Sequence, residues 1–328
     1  MTILLLAACK GRPMGGPEDA DTPASREIVR YDRLVDEFVS LNSFTSLRRM
    51  NTEYPNATRL LIEDVLGIGS VEEPLIEQRL RTYYLDSTLQ VLLQDVHHCY
   101  HDLRHEEREL FGVFDRIKAD DPQFKIPMVY TQVSGLNQSI VVGDSLLGIS
   151  LDKYLGRDYP LYLRYYHDWQ RIQMGRDRLV PDALYFYLSH EYPLPPSEVH
   201  TLLDFMVNGG KLHWVIAHYR GVDLYRQSGF ATDSLEWYRS HEHVAWKWLN
   251  AQQALSMSDM TLIKRFMQPR ASTPYLGDAS HDRIGLWLGL RIVEEYVRRH
   301  PQVKPIELLR MTDYKTFLKE SGYDPLKP

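Results

Sequence analysis

DDPQFKIPMVYTQVSGLNQSIVVGDSLLGISL, residues 120–151, is where the apolar pattern of the chain changes period. Proline disfavours helical geometry in the residue before it, so Asp120-Asp121-Pro122 closes the helix that precedes it. Beyond it the apolar runs Ile126–Val133, Ser139–Val142 and Leu146–Leu151 have β-like spacing. They are separated by the turn-forming groups Gly135-Leu136-Asn137 and Gly143-Asp144-Ser145. The spacing predicts a three-stranded antiparallel meander.

On either side the pattern is helical. Upstream, Ile28, Tyr31, Leu34, Val35, Phe38 and Leu41 mark one amphipathic helix, and Ala57–Gly67 a second. A long helical region follows over Val71–Ala119, with a break expected near Asp102. Downstream, helices are expected over Asp158–Asp168, after Val180-Pro181 with the proline at the first helical position, and over Pro196–Tyr219. Others are expected over Thr232–Ala254, Ser258–Phe266, Arg283–Arg299 and Thr312–Lys319. No internal repeat or linker interrupts this order. The fold class is therefore α+β, predominantly α-helical with one small antiparallel β-sheet at about residues 126–151, in a single domain over residues 25–328.

The N-terminus has a different character. Ile3-Leu4-Leu5-Leu6-Ala7-Ala8 is an apolar run ending in small residues at Cys9, and Leu6-Ala7-Ala8-Cys9 resembles a bacterial lipobox, whose cysteine is acylated after the preceding peptide is removed. Residues 1–8 then read as the remnant of a signal peptide. The leader is shorter than a full signal requires, which implies that part of it lies before Met1. Residues 9–24 (CKGRPMGGPEDADTPA) are rich in Gly, Pro, Asp and Glu with one large apolar residue, Met14, and read as a lipidated, disordered tether. If Cys9 is acylated, Cys99 is left as one buried or semi-buried thiol.

Hydrophobic residues make up 44% of the 328, enough to bury a core. The net charge of -6 and the scattering of Lys and Arg among acids argue against a nucleic-acid partner, because phosphate binding needs clustered cations.

Few residue groups suggest chemistry. His97, His101 and His105 would form one stripe on an unbroken helix, but a straight stripe does not surround a metal, and solvated histidines are the favoured reading. Ser189-His190-Glu191-Tyr192-Pro193 begins like the zinc-peptidase motif His-Glu-x-x-His, yet its second histidine position is Leu194. His190, Glu191 and one of His213 or His218 are the residual metal candidates, although His213 and His218 fall on different helix faces. Asp144 and Asp152 flank the third predicted strand; a carboxylate pair is possible there, but turn and cap chemistry at Gly143-Asp144 and Asp152 is favoured. Gly285 and Gly289 share a helix face that lets another backbone approach. The Tyr and Trp residues are read mainly as core or boundary residues. No nucleophile elbow, phosphate loop or dinucleotide fingerprint appears, and no cofactor is implied.

Thr131-Gln132-Val133-Ser134-Gly135, the run Val142–Gly156 (VGDSLLGISLDKYLG), Gly209-Gly210-Lys211 and Arg283–Gly289 with Ile292-Val293 resemble, in this order, the gliding-motility lipoprotein GldB family of Bacteroidota. The resemblance implies a signal peptide and a lipid anchor to the cell envelope, at the outer membrane facing the periplasm. It also implies a non-enzymatic scaffold or accessory role beside gliding and type nine secretion machinery, with other envelope proteins as partners. The family is distantly zincin-like, and the positions corresponding to a zincin's ligands are lost at Leu194 and at Asn208-Gly209-Gly210-Lys211. The alternatives are a metallohydrolase with a non-standard site and a lipoprotein that binds glycan or peptide in an aromatic groove.

Overall fold

A computed structural model describes residues 26–269 and 282–327. Cys9, the signal remnant and the tether of the sequence reading lie outside these residues.

The N-terminal helices are α1 (Tyr31–Leu41), α2 (Phe44–Thr52), α3 (Pro55–Arg59), α4 (Ile76–Tyr84), α5 (Ser87–Cys99) and α6 (Arg104–Asp120). The expected long helical region is thus three helices. Asp86 caps α5 by accepting from the backbone N–H of Thr88 and Leu89, and Tyr100–Leu103 leave helical geometry before α6. The expected helix at Ala57–Gly67 is α3 running into a π-helical turn, Leu60–Val65, and the spacing did not reveal α2.

The strands are β1 (Met128–Gln132), β2 (Ile140–Gly143) and β3 (Leu146–Ser150). They correct the meander: the order is β1-β3-β2, with β3 parallel to β1 and antiparallel to β2, so the sheet is mixed. The physical reason lies in the two connections. Asp144-Ser145 forms a tight turn, with Ser145 at a positive φ of 55°, and this makes β2 and β3 a hairpin. The link Val133–Ser139 is long enough to step over one strand, a gap of about 9–10 Å. β3 therefore enters between its predecessors. Every residue of β3 is buried, the pattern of a central strand covered on both faces. The outer edge of β1 is closed by Val29, whose N–H donates to the Val129 carbonyl at 2.9 Å and whose carbonyl accepts from Thr131 N–H at 2.9 Å.

After the sheet come α7 (Pro160–Tyr165), α8 (Asp168–Arg171), α9 (Leu179–Glu191), α10 (Leu202–Arg220), α11 (Leu224–Gln227), α12 (Leu235–Ala251), α13 (Met260–Met267), α14 (Ile284–Arg299), α15 (Pro305–Arg310) and α16 (Tyr314–Ser321). Pro181 lies in the first turn of α9 rather than at its first residue; proline is tolerated throughout that turn because the N–H it lacks would have no intrahelical acceptor there. Helix α9 packs on β2 and β3, and α1 on β1. Helix α10 runs through the C-terminal half, bounded by a Thr201 capping box and by Gly221 in left-handed geometry. It packs most extensively on α14 and also against α9, α13, α15 and α16. The buried side chains form one contiguous core from Ile28 to Tyr323.

Candidate functional site

The parallel pairing Gln132↔Ser150 brings the ends of β1 and β3 together, so Ser134-Gly135-Leu136 lies beside Asp152. Asp152 has no exposed surface. Its carboxylate accepts from the Ser134 N–H at 2.9 Å, the Ser134 hydroxyl at 3.1 Å and the Leu136 N–H at 2.7 Å. Burial pushes its pKa up, and the two backbone donors oppose that shift by favouring the charged form. Gly135 supplies the positive φ of 65° that the loop needs, and a side chain there would meet the Tyr83 hydroxyl at 2.5 Å.

Tyrosines complete the knot around this carboxylate. Tyr166 donates to the Leu136 carbonyl at 2.9 Å, and the Lys153 ammonium donates to the same carbonyl at 3.1 Å and to the Tyr166 oxygen at 2.8 Å. Tyr84 donates to the Val133 carbonyl, Tyr100 to that of Tyr154 and Tyr162 to that of Asp152. The Tyr154 hydroxyl reaches Asp182 on α9 at 3.1 Å, and Arg178 pairs with the same carboxylate at 2.9 Å. Each hydroxyl named here spends its proton on an internal acceptor.

A second concentration of unusual residues lies where α10 crosses α14. A methyl group on Gly289 would land on the Met206 carbonyl, and one on Gly210 would land on the Gly289 carbonyl, so the two backbones are in contact. Gly285 is likewise closed off, by the Phe266 carbonyl at 2.9 Å. One residue on, Lys211 is fully buried. Its ammonium donates to the Met311 carbonyl at 2.6 Å and lies 4.6 Å from the Tyr314 ring centre. No carboxylate among the described residues pairs with it, and burial pushes its pKa down to about 7. On α14, the Trp287 indole N–H donates to Glu242 at 3.0 Å, and Arg291 and Tyr323 share that carboxylate.

The candidates from sequence are scattered. His190 and Glu191 are exposed at the end of α9. His213 is buried, stacked on Tyr185 with ring centres 4.7 Å apart, and burial pushes its pKa down to about 3. His218 is exposed and stacks on Trp214. Asp144 is exposed in the β2–β3 turn, at the opposite end of β3 from Asp152, so the two carboxylates do not pair; Gly143 closes β2 beside Leu60. Asp152 caps the loop before it in sequence, not the segment after it. The histidine stripe is not formed, because α5 ends at Cys99 and α6 begins at Arg104. Cys99 is exposed rather than buried, since it sits in the last turn of α5 on the face away from Val96 and Tyr100. Among the described residues, no group of three or more His, Cys, Asp or Glu converges to hold a metal.

Two features escaped the sequence reading. Lys211 lies within an apolar helix whose residues are buried on nearly every side, so no polar face marked it as inward. Tyr165, grouped with the core aromatics, is 66% exposed; the neighbouring Arg164 was the available signal that this turn faces outward.

A family model described as gliding motility protein GldB matches residues 16–325. No curated protein and no solved structure matches the chain. The match covers the Asp152 knot and the α10–α14 crossing alike.

Proposed function

The chain belongs to the gliding motility protein GldB family, and on that premise we propose that it is an envelope lipoprotein that serves gliding machinery, and the type nine secretion coupled to it, as a non-enzymatic scaffold. Its anchor is a lipid on Cys9, in the outer membrane with the body facing the periplasm, and its partners are other envelope proteins. The body is one unit from residue 25 to 328, tethered by residues 9–24.

The observation that carries the non-enzymatic reading is how Asp152 is used. An acid that catalyses must reach substrate, and Asp152, in the longest family-like stretch, is sealed from solvent with its oxygens spent on Ser134 and Leu136. The separation of exposed His190 and Glu191 from buried His213 supports the same reading over a hydrolase.

Replacing Cys9 by Ser tests the anchor. The variant is expected to leave the membrane fraction and to stop gliding in a strain that depends on the protein; a soluble variant that restores gliding fully overturns the anchoring role. One zinc held tightly per purified chain would overturn the scaffold reading.

A further inference from the structure

The surface opens where α7 turns into α8. A shallow hollow of about 390 Å³ lies there, within the size range of small-molecule sites, lined by Leu163, Tyr166, His167, Asp168, Trp169 and Arg171. Half of this lining is aromatic. The His167 and Trp169 rings are nearly parallel, at 15° with centres 6.3 Å apart, so together they offer flat apolar surface. The wall is also fixed from behind. Tyr166 donates to the Leu136 carbonyl at 2.9 Å, and the Lys153 ammonium lies 4.5 Å from its ring centre. Arg171 donates to the Arg157 carbonyl at 3.1 Å and pairs with Asp168, while the His167 backbone N–H donates to the Gln170 side chain at 3.0 Å. A site ordered in advance loses little conformational freedom when it is filled.

The lining itself selects the kind of occupant. Asp168 and Arg171 cancel each other's charge, so neither an anion nor a cation gains from entering. Among the described residues Asp168 engages Arg171 through Oδ1, and with its side chain 71% exposed Oδ2 stays open as an acceptor. Rings, an open carboxylate oxygen and a guanidinium side by side in a shallow depression match a neutral molecule with an apolar face and a rim of hydroxyls. A pyranose with all its ring substituents equatorial has that form: its C–H bonds stand axially on both faces, and its hydroxyls radiate from the edge. The other occupants fit less well. An apolar peptide side chain would find a single aliphatic wall residue, Leu163, and a phosphate headgroup would meet the Asp168 carboxylate.

We infer that this hollow binds a neutral glycan, with one equatorially substituted pyranose of a β-linked chain against His167 and Trp169 and its hydroxyls on Asp168 and Arg171. The inference goes beyond the scaffold role proposed above, because it adds a saccharide to the protein partners. It is also independent of the lipid anchor: the Cys9→Ser variant keeps the hollow intact.

The test titrates the full purified chain with cellotetraose, chitotetraose and maltotetraose, followed by calorimetry and tryptophan fluorescence. The first two are β-linked with equatorial substituents throughout; the third has axial α-links. At least one β-linked tetrasaccharide is expected to bind about tenfold more tightly than maltotetraose, and to bind equally at low and high salt because the ligand is uncharged. Trp169→Ala and Asp168→Ala are each expected to lose about tenfold in affinity, the first through the lost ring and the second through the lost acceptor. Trp169→Phe should keep most of the binding, and all three variants should keep the wild-type circular dichroism. Absence of binding by both β-linked sugars overturns the inference, as does maltotetraose binding equally well or the two alanine variants binding like wild type. Steep weakening with salt overturns it too. Phosphatidylethanolamine vesicles and a labelled Leu-Phe peptide are the remaining probes; if either binds, loses its binding in Trp169→Ala, and no sugar binds, the hollow belongs to another class of partner and the inference fails. Failure of every sugar in a protein that Cys9→Ser releases from the membrane refutes the glycan site alone and leaves the anchor standing.

Discussion

The Asp152 knot and the α10–α14 crossing are equally dry, yet they are built on opposite principles. At the knot a buried anion is surrounded by donors, with two backbone N–H groups and a hydroxyl on one carboxylate. At the crossing side chains have been removed so that backbones touch, and the one buried cation beside them has a single carbonyl and aromatic rings for company. Polar satisfaction fixes where a loop lies, because hydrogen bonds are directional. Glycine contact fixes how closely helices approach and says nothing about charge. The first arrangement is costly to break at any member, whereas the second is costly to fill but tolerates loss of its cation.

The largest effect is expected from filling the crossing. Gly289→Leu would drive a side chain into the Met206 backbone, which cannot rotate aside, so the loss should exceed about 4 kcal/mol, beyond the usual cost of overpacking. Thermal and urea unfolding followed by circular dichroism would show it. A variant within about 1 kcal/mol of wild type would mean that α10 and α14 do not touch as described. Next comes Asp152→Ala, which leaves the N–H groups of Ser134 and Leu136 buried without an acceptor. At about 1–3 kcal/mol for each unsatisfied group, the loss should be about 3 kcal/mol, with raised amide exchange at residues 134–138. Unchanged exchange there would show that Asp152 is not what pins the loop.

How far each region could be read from sequence follows from the same contrast. Helical periodicity and glycine spacing are local signals, and α1, α12, α13, α14 and α16 were legible from them, as was the shared face of Gly285 and Gly289. The three strands were also legible, but their order was not. The parallel pairing of β1 with β3 is accompanied by the capping of residues 134–136 by Asp152, and a hydrogen bond between residues 18 apart leaves no period in the sequence. The break after Tyr84 was blurred because apolar residues recur in phase across it, whereas the break expected near Asp102 falls where Tyr100–Leu103 separate α5 from α6. At the candidate site, the sequence argued correctly that His213 and His218 occupy different faces. It did not tell inward from outward where apolar residues surround the helix, and so Lys211 went unseen as a buried cation.

Lys211 provides the smallest effect and the most direct test of the contrast. An unfolded lysine titrates near 10.4, whereas burial holds Lys211 down to about 7. Between these values the unfolded chain carries the extra proton, so this group makes stability rise with pH from about 7 to 10. Below about 7 both states are protonated and the penalty is constant. Lys211→Met keeps the apolar stem and removes the titration. It is expected to stabilise the protein by about 2 kcal/mol at pH 7, less than the full linkage allows because the Met311 carbonyl and the Tyr314 ring already offset part of the burial cost. The gain should shrink steadily as pH approaches 9.5, where measurement must stop because burial raises the Tyr314 pKa to about 12 while an unfolded tyrosine ionises near 10. Urea midpoints for both proteins across this range settle the point. A difference independent of pH would mean that the ammonium stays charged in the fold, held by its carbonyl and its ring, and that the crossing satisfies its cation as fully as the knot satisfies its anion.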